Sequence, residues 1–243
     1  MQPKILIASP TLHGDVRVEF LRSVTDAILF LLRHSVEVQH TIELCTELPK
    51  IRSMMASRVV HDPSFSHLLF VDTDMGFQPS AIKKMLESQE PLISCAYPYR
   101  SIPFNARIET AGLTFREAIR QSAEFSVDQD LSQPIVNGIG YAKQKLGTGL
   151  MLVARSALEK IAKNVPSYKP HAPMTQWYKY DSYFGLFDTI THNGYQLGED
   201  TSFCRRWLEM GGKLPFVADE LITHVGPIPI QARYTDAAKR LPS

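Results

Sequence analysis

The segment His67-Leu-Leu-Phe-Val-Asp-Thr-Asp74 sets two carboxylates, Asp72 and Asp74, directly after an apolar run. In a strand, side chains two apart point the same way. Two acids at the exposed end of a buried strand therefore converge on one spot. Such a pair can hold a hard divalent cation, Mg²⁺ or Mn²⁺, which in turn neutralises a diphosphate. The competing reading is a solvated turn, or a cap for the helix that Pro79 starts. Placement at the carboxyl end of a strand, where α/β proteins bind ligands, favours the metal site.

Four further groups carry possible chemistry. Gly198-Glu199-Asp200 opens a helix, so its acids either complement the helix dipole or supply a general base, Asp200 or Glu199. His224 closes the short strand Leu221-Ile-Thr-His as a metal ligand or a structural histidine. Arg52 and Arg58 lie on the helix before the Asp72 strand. Six apart, they do not share a face; each is surface charge or a guanidinium fork for a phosphate or base. Gly147-Thr-Gly149 precedes a strand rather than opening a helix, so it is no dinucleotide fingerprint. It is a tight turn, or a place where backbone approaches a sugar or phosphate closely. The aromatics Trp177, Tyr178, Tyr180, Tyr183, Phe184 and Phe187 are core, or a stacking platform for a sugar or base.

The elements that must position these residues follow from periodicity. Lys4 to Pro10 reads as a buried strand that stops at the proline. Val18 to His34 has helical spacing, with Val18, Leu21, Ile28, Leu29 and Leu32 as core positions. Val36–Leu44 is a strand, Pro49–His61 a helix, His67–Asp72 a strand, Ala81–Ser88 a helix and Pro91–Ala96 a strand. That alternation predicts a doubly wound parallel sheet. The second half is less regular. It carries a helix at Phe115–Ala123, strands at 135–141 and 145–154, and a helix at Ser156–Lys163 with Ser156 as N-cap. A strand follows at Tyr183–Thr189, then a helix at Glu199–Met210 closed by Gly211-Gly212. Short strands at 214–217 and 221–224 complete it. Without repeats or a clear linker, residues 1–243 form one domain.

Bulk properties exclude several classes. A net charge of +1 gives no global field for nucleic acid or an anionic membrane. Cys45, Cys95 and Cys204 are odd in number and lack CxxC spacing, which suits reduced thiols in a cytoplasmic protein. The start runs straight into a strand with no signal-peptide pattern. The longest apolar run, Ala27 to Leu32, is far short of the roughly 20 residues of a membrane span.

Taken in order, these pieces resemble the GT-A glycosyltransferases, in particular the family 2-like enzymes of small phage and bacterial type. The resemblance rests on Ile7-Ala-Ser-Pro-Thr11, on Arg52-Ser53 with Ala56, and on Leu69-Phe-Val-Asp-Thr-Asp-Met75 with Phe77-Gln-Pro79. It continues through Gly147-Thr-Gly-Leu-Met-Leu-Val153, Gly198-Glu-Asp-Thr-Ser-Phe-Cys204 and His224-Val-Gly226. Ser53 stands where the family usually has asparagine. The resemblance implies a Rossmann-like, mostly parallel sheet flanked by helices, with a smaller mixed sheet on the acceptor side. Residues 1–100 would be the nucleotide-sugar half, 101–225 the acceptor half, and 226–243 a C-terminal lid carrying Arg233, Lys239 and Arg240. It further implies a UDP or GDP sugar donor contacted by Pro10, Thr11, Arg52, Asp72, Thr73, Asp74, Gly149 and Arg233. Asp74 and His224 would hold Mn²⁺ or Mg²⁺, with Asp72 on the metal or the ribose. Asp200 would be the base that lets an acceptor hydroxyl take a hexosyl group with inversion, and Glu199 its reserve.

Three rivals share parts of this pattern. A phage-type enzyme that glycosylates a hydroxymethylated DNA base would need a basic track such as Lys143, Lys145, Arg155, Lys160 and Lys163. A nucleotidyltransferase would need a basic, glycine-rich loop after the first strand, and Pro10-Thr-Leu-His-Gly14 does not supply one. A non-catalytic sugar-nucleotide binder would keep the site without turnover.

Overall fold

A computed structural model describes residues 2–44, 46–101, 123–171 and 176–238, with 112, 114, 117 and 120. Elements are numbered over these residues. The first half runs β1 (Lys4–Thr11), α1 (Val18–Arg33), β2 (Glu37–Leu44), α2 (Leu48–His61), β3 (His67–Val71), β4 (Met75–Gly76), α3 (Pro79–Glu87) and β5 (Leu92–Cys95). The second runs β6 (Ile139–Tyr141), β7 (Leu150–Ala154), α4 (Arg155–Ala162), β8 (Ser167–Tyr168), β9 (Tyr183–Phe184), β10 (Thr191–His192), β11 (Tyr195–Gln196) and α5 (Glu199–Glu209). It ends with β12 (Pro215–Val217), β13 (Ile222–Val225), β14 (Pro229–Ala232) and α6 (Tyr234–Ala238).

Seven strands form the central sheet in the order β2-β1-β3-β7-β5-β12-β6. β1 pairs in parallel with β2 and β3, and β12 with β5. β7 runs antiparallel between β3 and β5, and β6 antiparallel to β12. The expected mostly parallel α/β sheet is therefore present, with a correction. An all-parallel order does not hold, because β7 inserts in the opposite direction. Its run Leu150-Met-Leu-Val is buried throughout, and a continuous apolar run encodes burial on both faces but not direction. A three-stranded antiparallel sheet, β14-β13-β4, stands at the carboxyl end of β3 and sets His224 opposite Met75.

Two apolar layers cover the sheet. On one face Ile5, Ile7, Leu69 and Val71 meet Phe20, Val24 and Leu31 of α1. On the other Leu6, Ala8, Leu68 and Phe70 meet α2, α4 and α5 through Met55, Leu158 and Phe203. Successive residues of β1 and β3 divide between the layers, as strand alternation requires.

Helix α1 lies where its periodicity places it, but the opposite stripe is buried. Phe20, Ser23, Val24, Ala27 and Leu31 face the sheet, whereas Val18 (58%), Leu21 (57%), Leu29 (46%) and Leu32 (54%) stand exposed. The helix carries two apolar stripes, and 3.6-residue spacing alone cannot choose between them.

Smaller corrections have local causes. β1 continues through Pro10 to Thr11; beyond Ala8 it pairs with β2 alone, and a proline is tolerated where a strand has one neighbour. Residues 145–149 are loop rather than strand. β9 stops at Phe184. α4 begins at Arg155, whose N–H donates to Ser66 O, so Ser156 sits inside the helix and does not cap it. Most of the expected helix at Phe115–Ala123 lies outside the described residues. So do Lys239 and Arg240 of the expected lid. From Pro229 to Ala232 that tail is a strand on β13, with Ile230, Ala232 and Tyr234 buried. Among the described residues, no helix is long and apolar enough to cross a membrane.

Candidate active site

Strand β3 ends at Val71, and the two acids follow it in a turn. Asp72 N–H donates to Gly149 O, and Met75 N–H donates to Asp72 O, at 2.9 and 3.1 Å. Same-side pointing along a strand is therefore not what places them. The turn sends Asp72 toward α2 and Asp74 toward β13.

Asp72 accepts from Arg52 Nη2 through both oxygens, at 3.0 and 3.1 Å. Arg52 is 2% exposed and lies over the Phe70 ring, 5.5 Å from its centroid. Arg52 is not surface charge: α2 delivers it into the centre of an acidic cluster. Its Nε is 4.0 Å from Glu199 Oε1. Burial opposes the guanidinium charge, but Asp72, Asp200 and Glu199 outweigh it and raise the Arg52 pKa. The Asp72 carboxyl is pushed up, first by burial and then by the negative charges of Asp74 and Asp200, against the pull of Arg52. Arg52 Nε and Nη1 are buried without a hydrogen-bond partner among the described residues. An unmet buried donor costs on the order of 1–3 kcal/mol, so it marks a place where an acceptor is wanted.

Asp74 faces the other way. Its Oδ2 accepts from Arg100 Nη1 at 2.9 Å and lies 3.4 Å from His224 Nε2. Register explains the meeting: β13 pairs with β4, the strand that follows the turn, and Val225 N–H donates to Asp74 O. His224 Nδ1 is 2.8 Å from Pro98 O. A carbonyl can only accept, so Nδ1 carries a proton and Nε2 is aimed at Asp74. Burial works to raise the Asp74 carboxyl, yet His224 and then Arg100 outweigh it and hold it below the ordinary aspartate range. Tyr97 packs edge-on to His224, with ring centroids 5.3 Å apart, and its Oη accepts from Gly149 N–H at 3.1 Å. Burial, then Asp200 and Asp72, push its hydroxyl pKa far up, so it stays a neutral hydrogen-bonding group.

The third edge is α5. Gly198 takes its N-cap position, which sets Glu199 and Asp200 in the first turn. Thr148 Oγ1 donates to Asp200 Oδ1 at 2.5 Å. Burial, then the charge of Asp200, raise the Glu199 carboxyl against Arg52. The glycines around Thr148 have a specific use. A Cβ on Gly147 would lie 2.2 Å from Tyr97 Oη, and one on Gly149 would lie 3.2 Å from Asp72 Oδ2. The close approach made by this turn is to Tyr97 and Asp72.

The structure thus gathers Arg52, Asp72, Asp74, Gly149, Glu199, Asp200 and His224. Thr73 belongs to the same turn and accepts Arg17 N–H through its carbonyl. Thr11 is buried at the end of β1, where its hydroxyl donates to Asp15 O, with Pro10 before it. Arg233 is not brought in: it is half-exposed and pairs with Asp236 at 3.8 Å. The aromatic group is largely core, with Phe187 fully buried against Phe203 and Tyr178 buried beside Met54. Three residues of the expected basic track make hydrogen bonds within the chain. Lys145 donates to Tyr99 Oη, Arg155 to Val59 O and Lys160 to Met210 O. Sequence reasoning missed Tyr97, Pro98, Arg100 and Thr148. The first three follow the carboxyl end of β5, where ligand-facing residues are expected in such sheets, and that signal could have found them.

Among the described residues, no three His, Cys, Asp or Glu side chains are placed so that together they could hold one metal ion. Asp72 is engaged by Arg52 and does not join Asp74 and His224 as a third ligand. The pair still fits Mg²⁺, which is usually bound by one or two carboxylates and completes its shell with water and phosphate oxygens. A bond from Nδ1–H to a backbone carbonyl, as His224 makes to Pro98 O, is of the kind that orients a histidine for binding a metal.

No protein-family model and no curated protein matches the chain. Solved structures do. The crystal structure of A197 from STIV aligns with a TM-score of 0.50 at 14% identity, over 92% of this chain and 86% of that one. A glycosyltransferase involved in the glycosylation of the major capsid of PBCV-1 aligns at 0.35 with 16% identity, over 66% of this chain and 65% of that one. The first likeness shows the fold. The second is too slight to carry an argument.

Proposed function

We propose that the chain is a metal-dependent glycosyltransferase that moves a sugar from a UDP or GDP sugar to a hydroxyl acceptor, with inversion. The observation that carries the reading is the Asp74–His224 pair. With Nδ1–H committed to Pro98 O, a neutral His224 turns the Nε2 lone pair toward an Asp74 oxygen 3.4 Å away. The two groups offer an oxygen and a nitrogen ligand side by side, at a carboxylate whose charge Arg100 already answers in part. Asp74 and His224 would hold Mn²⁺ or Mg²⁺, which when bound supplies positive charge to the leaving diphosphate.

The chain's own groups take the other roles. Arg52 fixes Asp72, and its unmet Nε and Nη1 donors suit a phosphate or ribose oxygen of the donor. Asp200, oriented by the Thr148 hydroxyl, receives the acceptor's proton as the acceptor oxygen attacks the anomeric carbon. Glu199 is the weaker candidate, because the neighbouring guanidinium draws on it and burial favours its neutral form.

Thermal stabilisation by a panel of nucleotide sugars, with and without Mn²⁺, tests this. A matching donor at about 100 times its Kd adds about 2.7 kcal/mol of stability. The gain should require Mn²⁺ and vanish in Asp74→Asn. Asp200→Asn should keep donor binding and lose donor hydrolysis. If no nucleotide sugar stabilises the protein in Mn²⁺, the reading fails.

A further inference from the structure

Apolar side chains stand exposed on α1 and on the strand beside it, on the same side of the sheet. Val18, Leu21, Leu29 and Leu32 line the outer side of α1, and Ile42 and Leu44 stand exposed on β2. Among the described residues, β2 ends the central sheet and nothing pairs with its outer edge. An eight-residue strand with a free edge and apolar side chains is a template for another strand. We propose that this surface joins two copies of the chain, with β2 pairing antiparallel to β2 of the second copy across a twofold axis.

Self-complementarity of β2 supports a second copy. Val38, His40, Ile42 and Leu44 lie on the α1 side, because they register with Ile5, Ile7, Ser9 and Thr11, of which Ile5 and Ile7 pack in the α1 layer. Centring the axis on Thr41 sets Val38 against Leu44 and His40 against Ile42. On the other face, Gln39 meets Glu43 and Thr41 meets itself. No two carboxylates are opposed, and every apolar residue of the α1-side face gains an apolar or aromatic neighbour. Opposed residues of an antiparallel pair share a face, so α1 of each copy lies on the same side of the seam. The exposed stripes of the two helices then lie on that same side of the joined sheet. A twofold contact of this kind uses the same patch on both copies.

A membrane is the other occupant an apolar helix face suggests, and two features disfavour it. Arg17, Arg22 and Arg33 on α1 and its approach are matched by Asp15, Glu19 and Asp26, so the face has no basic excess for anionic headgroups. The free N–H and C=O groups of the β2 edge would also go unmet in lipid, whereas a second strand satisfies them.

Sedimentation of the full chain over a concentration series, with circular dichroism to confirm folding, tests the proposal. The native chain should reach twice its single-chain mass. Leu29→Glu and Ile42→Lys, both at exposed positions, should each weaken self-association by at least about tenfold, or about 1.4 kcal/mol, without loss of fold. Thr41→Cys in a Cys45→Ser background should crosslink to itself under mild oxidant, and Ser132→Cys in the same background should not. A native chain that stays monomeric overturns the proposal, as does a dimer unaffected by both substitutions. So does binding to phosphatidylcholine–phosphatidylserine vesicles by a monomeric chain that Leu29→Glu abolishes.

Discussion

Asp74 and Asp72 are two residues apart in the turn after β3, yet their environments pull their acidities in opposite directions. His224 and Arg100 hold the Asp74 carboxyl low, while burial and the charges of Asp74 and Asp200 drive Asp72 up. This separates them: Asp74 is held as an anion beside His224 and Arg100, and Asp72 is tied to Arg52. A carboxyl depressed in the folded state contributes stability above its unfolded pKa, about 3.9 for aspartate. That contribution is lost as pH falls through the lower folded value. Urea unfolding of the native chain and Asp74→Asn should therefore differ most at neutral pH. The two curves should converge as pH drops below about 4. A constant difference across that range would show that Asp74 acts through packing rather than charge.

At the scale of elements, the site is an assembly of strand and helix ends. The Gly147–Gly149 turn joins the carboxyl end of β3 to the start of α5, because Gly149 O receives Asp72 N–H and Thr148 holds Asp200. Its glycines leave room for Tyr97. Gly147→Ala would put a methyl 2.2 Å from Tyr97 Oη and 2.8 Å from Ser126 Cβ. Overpacking of this kind should cost about 1–3 kcal/mol in chemical unfolding. Adding Tyr97→Phe removes the nearest atom, so the double variant should lose less than the sum of the singles. Strict additivity would mean that the turn moves away as a unit. Arg52 shows the limit of reading an element from sequence. Its helix and its spacing from Arg58 were legible, but which face of α2 was buried depended on what α2 packed against.

At the scale of the molecule, the central sheet separates two apolar layers that share no side chain. Leu31 belongs to the α1 layer and Ile161 to the α4 layer. Leu31→Ala should cost about 2–5 kcal/mol and Ile161→Val about 0.5–1.5 kcal/mol. Sheet faces stand about 10 Å from the elements that cover them. The double variant should therefore lose the sum to within about 0.5 kcal/mol. A larger coupling would show that the sheet transmits strain between its faces.

By itself the sequence determined the order of the first-half elements, the single mostly parallel sheet, and the placing of Asp72, Asp74, Asp200 and His224 at element ends. These follow from local patterns: buried runs make strands, proline and glycine punctuate them, and polar residues collect where strands stop. Only the tertiary structure decided the rest. It chose the stripe of α1 that is buried, since Phe20, Val24 and Leu31 found a sheet and Leu21 and Leu29 did not. It set β7 antiparallel between β3 and β5, because direction comes from the path of the chain and not from hydrophobicity. It brought His224 to Asp74 through the β13–β4 register, and Arg52 to Asp72 through the packing of α2. Contacts between residues 20 to 150 positions apart depend on pairing and packing partners that no local window contains.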